Sequence, residues 1–239
     1  MSTALAVQQP PLKKFVAETG GDRMNWSTGM HDAERTPSWL SGGTTLLDRA
    51  SLADAFEAAC LIRCTRVESA RQPTTVVAEF SSEAAAARLA ELLTRLGTQA
   101  RPERITAGVR RRYELHRLHV AEPGQPAAVL TSGWHRGRAA VLDPSAAGAS
   151  APRHARRQGL AAAAWRAALL AGGRHVRTHI LGVRLRDTEL AAVLVRGAQL
   201  LGAAASIAPR SGCLLVTVPA GPDKDRIVRH TAIAVPVPG

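Results

Sequence analysis

Lysine is nearly missing from this sequence. Lys13, Lys14 and Lys224 are the three among 31 basic residues, which leaves 28 arginines. Aromatics are scarce too, at 3%, with a single tyrosine. Three cysteines, Cys60, Cys64 and Cys213, are too few for a disulfide framework. No uninterrupted apolar run approaches the roughly 20 residues of a membrane span. The longest, Leu160 to Trp165 and Leu190 to Val195, are stopped by Arg166 and Arg196. The start, Met1 to Val7, lacks a basic segment followed by a long apolar one, so it does not read as a secretory signal. These absences exclude a membrane protein and a disulfide-stapled secreted domain. They leave a cytoplasmic protein as the expectation, nucleoid-associated if it holds DNA.

What is present is a chain of 239 residues that is 46% apolar, too high for a wholly disordered protein. With so few aromatics, alanine, leucine and valine must carry the core. The net charge is +12. The first 50 residues are neutral, because Lys13, Lys14, Arg23, Arg35 and Arg49 are matched by Glu18, Asp22, Asp32, Glu34 and Asp48. That segment is rich in Gly, Ser, Thr and Pro and reads as a disordered or loosely docked extension, 1–50. Trp26 and Trp39 within it are either docking anchors or chance aromatics.

The positive charge therefore lies in 51–239, and it clusters. Arg153, Arg156, Arg157, Arg166, Arg174, Arg177, Arg184 and Arg186 fall within 144–186, which has no Asp or Glu. Arg110, Arg111 and Arg112 form a second focus. Such clusters are the electrostatic footprint of polyanion binding. An Arg- and Ala-rich, Lys-poor composition is also what a GC-rich genome produces throughout a chain.

Helix and strand patterns alternate from residue 51. Leu52, Ala55, Phe56, Ala59 and Cys60 form one helical face, with Ser51 as its cap. A strand over 75–80 follows. Ser81 or Ser82 then caps a helix whose apolar face is Ala85, Leu89, Leu92, Leu93 and Leu96, closed by Gly97. Strands are expected near 99–106 and 110–120, and a short apolar stretch runs from Ala127 to Leu130. The second half repeats the order. A helix over about 157–171 precedes a strand near 176–186, where Val183 and Leu185 point one way and Arg184 and Arg186 the other. Asp187 caps a helix closed by Gly202, strands follow near 203–208 and 212–218, and a short helix begins near Pro222. The pattern predicts an α+β protein with pseudo-two-fold tandem repeats over 51–142 and 156–232, a linker at 143–155 and a tail at 233–239. Small residues on both leading helices, Ala55 and Ala59 against Ala163, Ala164, Ala167 and Ala171, suggest that these helices pack on each other at the pseudo-dyad.

Residues 163–173, Ala-Ala-Trp-Arg-Ala-Ala-Leu-Leu-Ala-Gly-Gly, resemble the second-half motif of the WhiA family of bacterial regulators. The resemblance extends over about 51–231. It implies a tandem LAGLIDADG homing-endonuclease-like fold and a role in sporulation and cell-division control. In that family a helix-turn-helix domain follows and reads the DNA sequence. Here no residues remain for it after the second repeat, so the expectation is a WhiA-like core without its reader.

Homing endonucleases of this fold cleave DNA with divalent metals held by one acid at the end of each motif helix. Aligning the motif with 58–66 and 165–173 puts Thr65 and Gly172 at those positions. Neither supplies the carboxylate oxygens that hard cations need. Glu57 and Glu68 lie near the first helix, while the second has no acid nearby. No catalytic residue, metal ligand, cofactor or small-molecule ligand is expected. Cys60 and Cys64 share a helical face and read as buried thiols, short of the four ligands of a zinc site. Thr131-Ser132-Gly133 reads as turn chemistry.

Two functions follow. The first is a non-enzymatic transcriptional regulator core that binds DNA mainly through arginine–phosphate contacts. Its candidates are Arg110, Arg111, Arg112, Arg153, Arg156, Arg157, Arg174, Arg177, Arg184 and Arg186. The second is a protein-interaction module acting with the transcription machinery or a separate DNA-reading partner, anchored by Trp26, Trp39 and Trp134.

Overall fold

The computed structural model describes residues 49–65, 76–108, 112–122, 124–144, 150–177 and 180–232. The first half contains α1 (Arg49–Arg63), β1 (Val76–Phe80), α2 (Glu83–Arg95), β2 (Ala100–Ala107), β3 (Tyr113–Val120) and α3 (Gly124–Leu142). The second contains α4 (Ala151–Ala171), β4 (Gly173–Arg177), β5 (Ile180–Leu185), α5 (Thr188–Leu200), β6 (Ser206–Arg210), β7 (Cys213–Pro219) and α6 (Pro222–Thr231).

The duplication is visible in the sheets. One runs β1-β3-β2 and the other β4-β5-β7-β6, and every pairing is antiparallel. Matching β1 with β5, β3 with β7 and β2 with β6 makes the two orders identical, with β4 added at one edge. The helix boundaries repeat as well. Ser82 Oγ accepts from the Ala85 N–H at 3.4 Å, and Asp187 Oδ1 accepts from the Leu190 N–H at 2.9 Å. Each satisfies one of the N–H groups that a helix start leaves unpaired. Gly97 and Gly202 end α2 and α5 at φ +81° and +75°, a region that favours glycine.

Alanine and leucine fill the core, as the shortage of aromatics requires. Phe56, Trp134 and Trp165 are among its largest fully buried side chains. On α4, Ala161, Ala163, Ala164, Ala167 and Ala168 are all buried. Trp165 buries its ring and donates its indole N–H to the Leu194 carbonyl of α5 at 3.0 Å. Gly197 of α5 lets that helix approach Ala161, where an added Cβ would stand 3.3 Å from the alanine methyl.

Among the described residues one acid lies in this interior. Glu57 of α1 is 2% exposed. Its carboxylate accepts from Arg88 of α2 at 2.7 and 3.0 Å and from Arg166 of α4 at 2.7 Å. Arg166 also donates to the Thr231 carbonyl at the end of α6, at 3.0 Å. A buried carboxylate without partners costs several kcal/mol. Here the partners come from both halves.

The structure corrects five expectations. The strand near 176–186 is two strands, β4 and β5, with Val176 and Arg177 pairing back onto Leu181 and Ile180. The helix expected from 157 begins at Ala151, inside the expected linker, and Pro152 is tolerated because its missing N–H falls in the first turn. Ser51 lies within α1, which starts at Arg49. The stretch read as apolar segment and turn, Ala127 to Gly133, belongs to the 19-residue helix α3. Its glycines hide it from a propensity reading but seat it. An added Cβ on Gly133 would lie 2.7 Å from Ala55 Cβ, and one on Gly137 would lie 2.2 Å from the Phe56 ring. Finally, the leading helices α1 and α4 do pack together, but Ala55 meets α3, and Ala59 borders a groove with Leu130 and Trp134 of α3.

Gly137→Ala is therefore expected to lower stability by about 1–3 kcal/mol, through overpacking against Phe56. Gly159→Ala, on an open face of α4, is expected to raise it by about 0.5–1 kcal/mol by removing unfolded-state freedom. Urea denaturation of the two variants checks both signs.

Candidate functional site

The outer faces of the two sheets differ in charge. Along β5 and just past its end, Val183 and Leu185 are buried and Arg184 and Arg186 exposed, as the alternation predicts. Arg184 pairs in register with Leu215, and Arg210 of β6 with Cys213. No strand of this sheet contains an acid. In the other sheet, each strand carries a glutamate with a partner. On the outer face Glu79 takes Arg117 Nε at 2.7 Å and Glu103 meets His119 Nε2 at 2.8 Å, while Glu114 takes Arg104 on the side of the buried Leu118. That face is balanced, whereas the second is basic.

Between the sheets, at the C-terminal ends of α1 and α4, opens a cleft of about 570 Å³. Arg63 of α1, Glu79 of β1, Tyr113 and Leu115 of β3, and Arg184 and Arg186 at the end of β5 line it. Thr65 also borders it, with its hydroxyl turned back to donate to the Ile62 carbonyl at 2.7 Å. Gly172, at the end of α4, has no room for any side chain. An added Cβ would lie 2.5 Å from Val183 Cγ1 and 2.6 Å from the Ala168 carbonyl oxygen. Glu79 is the one carboxylate among the described lining residues, and Arg117 neutralises it. Glu57 is held by its two arginines, and Glu68 lies outside the described residues. The residues present do not fit a metal pair, and no His, Cys, Asp and Glu cluster suited to a metal occurs among the described residues.

Arg63 sits at the junction of the two halves. It pairs with Asp187, the cap of α5, reaches Glu189 at 3.5 Å, and lies 3.8 Å over the Trp134 ring. Trp134 is 2% exposed and stacks on Phe56 at 5.8 Å between centroids. It is core and not an anchor for a protein partner, which corrects that expectation. Trp26 and Trp39 lie outside the described residues.

The ten candidate arginines separate. Arg184 and Arg186 come together in the cleft. Arg153 and Arg156 are exposed on the first turns of α4, and Arg112 is exposed before β3. Arg157 is withdrawn from any interface. It is 6% exposed and donates to the carbonyls of Ala140, Val141 and Asp143 at 2.8, 3.2 and 2.6 Å, satisfying the end of α3. Arg174 and Arg177 pair in register with Val183 and Ile180, and their side chains lie outside those described. Arg110 and Arg111 lie outside the described residues altogether. Sequence reasoning missed Arg63, Arg210 and Tyr113. Arg63 carried no cluster signal, Arg210 stands alone, and Tyr113 follows the Arg110–Arg112 run that drew attention away from it.

No known family profile matches the sequence, and no curated protein matches it. Solved structures do. The N-terminal LAGLIDADG domain of DUF199/WhiA aligns with a TM-score of 0.52 and 13% identity, over 82% of this chain and 87% of that one. Full-length DUF199/WhiA from Thermatoga maritima gives 0.52 and 16% over 80% of this chain, which spans 58% of that protein's length. A variant of the homing endonuclease I-DmoI in complex with its target DNA, in the presence of magnesium, gives 0.50 and 12%, over 78% and 99% of the two chains. The fold is thus α+β and WhiA-like, of the LAGLIDADG kind.

Cys64, at the rim of the cleft, has its thiol pushed from 9.0 up to about 12, by burial first and then by Asp187. Cys60 is raised too, by burial and by Cys64 and Glu57. A thiol that keeps its proton when folded contributes stability fully below its unfolded value and loses it as pH rises through the folded value. Thermal stability is therefore expected to fall between about pH 9 and 12, and less steeply in Cys64→Ala. A melting series across that range checks it.

Proposed function

We propose that this chain is a non-enzymatic DNA-binding regulator core that grips the duplex backbone through arginines of its second sheet. One observation carries the reading: the cleft at the paired helix ends holds Arg63, Arg184 and Arg186 where hydrolysis would need two carboxylates, and Gly172 leaves no space to supply one. The basic, acid-free sheet beside it, with Arg210 on its outer edge, supports the same reading. Arginine contacts to phosphate give affinity and orientation without sequence information. WhiA-like ancestry makes transcriptional control, in sporulation or cell division, the role proposed, in the cytoplasm and on the nucleoid.

Duplex binding is expected at low salt, falling linearly in log–log form as salt rises. Arg210→Ala should weaken binding alike on unrelated sequences and flatten the salt slope by about one unit for the phosphate no longer neutralised. Electrophoretic shifts over a salt series measure both effects. Failure to shift any duplex at low salt overturns the reading. Supercoiled plasmid incubated with magnesium should remain unnicked, and nicking would overturn the non-enzymatic part.

A second reading has one observation in its favour. The outer face of the first sheet is balanced by the Glu79–Arg117 and Glu103–His119 pairs, which suits a mixed-charge protein surface better than a polyanion. A transcription-machinery protein would then be the partner, engaged through that sheet. Capture of such a protein that survives nuclease treatment and disappears in Arg117→Glu is the expected result. Capture that vanishes with nuclease removes this reading.

A further inference from the structure

The cleft has two unlike walls. One is formed by Tyr113 and Leu115, which pair in register with Ala107 and Ile105 across the β2–β3 hairpin. Tyr113 is the chain's one tyrosine, and at 52% exposure its ring is left open to solvent. The other wall carries Arg184 and Arg186. They lie two residues apart, Arg184 on β5 and Arg186 just past its end, and both are exposed. Among the described residues neither meets a carboxylate, unlike Arg63, Arg88, Arg104, Arg117 and Arg138, which all do.

An exposed ring sharing a cleft with two arginines that meet no carboxylate among the described residues is the combination that single-stranded nucleic acid uses, with base on aromatic and backbone on cation. The cleft volume of about 570 Å³ also lies in the range of small-ligand sites, about 300–1,000 Å³. The C-terminal ends of α1 and α4 open on the same space and carry partial negative charge. That directs a phosphate toward β5 and away from the helix ends. Glu79 is already paired with Arg117 and does not oppose it.

We propose that this cleft binds one nucleotide unit, with its base laid on Tyr113 and its phosphate held by Arg184 and Arg186. A base inside a duplex is stacked and out of reach. The unit therefore comes either from an unpaired stretch of DNA or from a free nucleotide. The proposal deepens the DNA-binding reading, because it names what the cleft holds while the sheet holds the duplex.

The test uses the full chain with three probes: a labelled oligothymidylate, thymidine monophosphate as competitor, and a labelled duplex, all read by fluorescence anisotropy. Tyr113→Ala is expected to weaken oligothymidylate binding about tenfold, with duplex affinity unchanged. Tyr113→Phe, which keeps the ring, should bind like the parent chain. Arg184→Ala with Arg186→Ala should abolish oligothymidylate binding. Displacement by thymidine monophosphate identifies a free nucleotide as sufficient. Binding of the oligothymidylate without such displacement identifies the strand as the occupant, and either result upholds the site. Circular dichroism confirms that the variants fold. Duplex binding with no oligothymidylate binding, or with equal oligothymidylate binding by the parent and Tyr113→Ala, overturns the nucleotide site and leaves the DNA-binding reading intact. Oligothymidylate binding without duplex binding does the reverse.

Discussion

A carboxylate in an alanine-and-leucine interior must be neutralised where it stands, and Glu57 constrains everything around it. Its two arginines arrive on different elements, Arg88 on α2 of the first half and Arg166 on α4 of the second. Arg88 is held more firmly protonated by this contact. Arg166 then reaches the Thr231 carbonyl at the end of α6. Helices α2 and α4 are thus tied to α1 through Glu57, and α6 to α4 through Arg166. Removing a partner from a buried ion pair typically costs about 3–5 kcal/mol, because the remaining charge is left uncompensated. Apolar packing brings the halves together, and this network fixes how they sit.

The remainder of the interior follows from how few large side chains there are. With little aromatic volume available, close approach of backbones replaces bulk. Gly133 and Gly137 let α3 settle onto Ala55 and Phe56, and Gly197 lets α5 settle onto Ala161. Trp165 is tied down by its hydrogen bond to Leu194, while Trp134 is closed over by the guanidinium of Arg63. The same arginine meets the cap of α5, so the cleft floor is built from groups that also hold the two halves together. Gly172 abuts Val183 and Ala168, and the acids nearby are already matched with arginines.

Much of this was legible in the sequence because it rests on local rules. The periodic faces of α1, α2 and α5, the caps at Ser82 and Asp187, and the glycine stops at 97 and 202 are each decided within a few residues. Their recurrence in order exposed the duplication. The alternation on β5 placed Arg184 and Arg186 outward. What escaped was decided by partners far along the chain. Helix α3 has the glycine and hydroxyl content of a turn, and only its packing on α1 explains it. Arg157 looks like a surface charge until the end of α3 is brought beside it. Trp134 looked like an anchor because nothing local reveals Phe56 beneath it and Arg63 above it. At the site, the arginines of one wall stood out as a cluster along the chain. The tyrosine of the other wall did not, since the two walls meet only through the fold.

The unequal faces of the two sheets have a consequence of orientation. The chain repeats one strand order in its two halves. Its charge does not repeat that way, because the glutamates of β1, β2 and β3 have no counterparts on the strands of the second sheet. A neutral face in the first sheet corresponds to a positive face in the second. The two sheets, alike in strand order, thus differ in charge, and a polyanion laid across both would meet a positive surface at one and a neutral surface at the other.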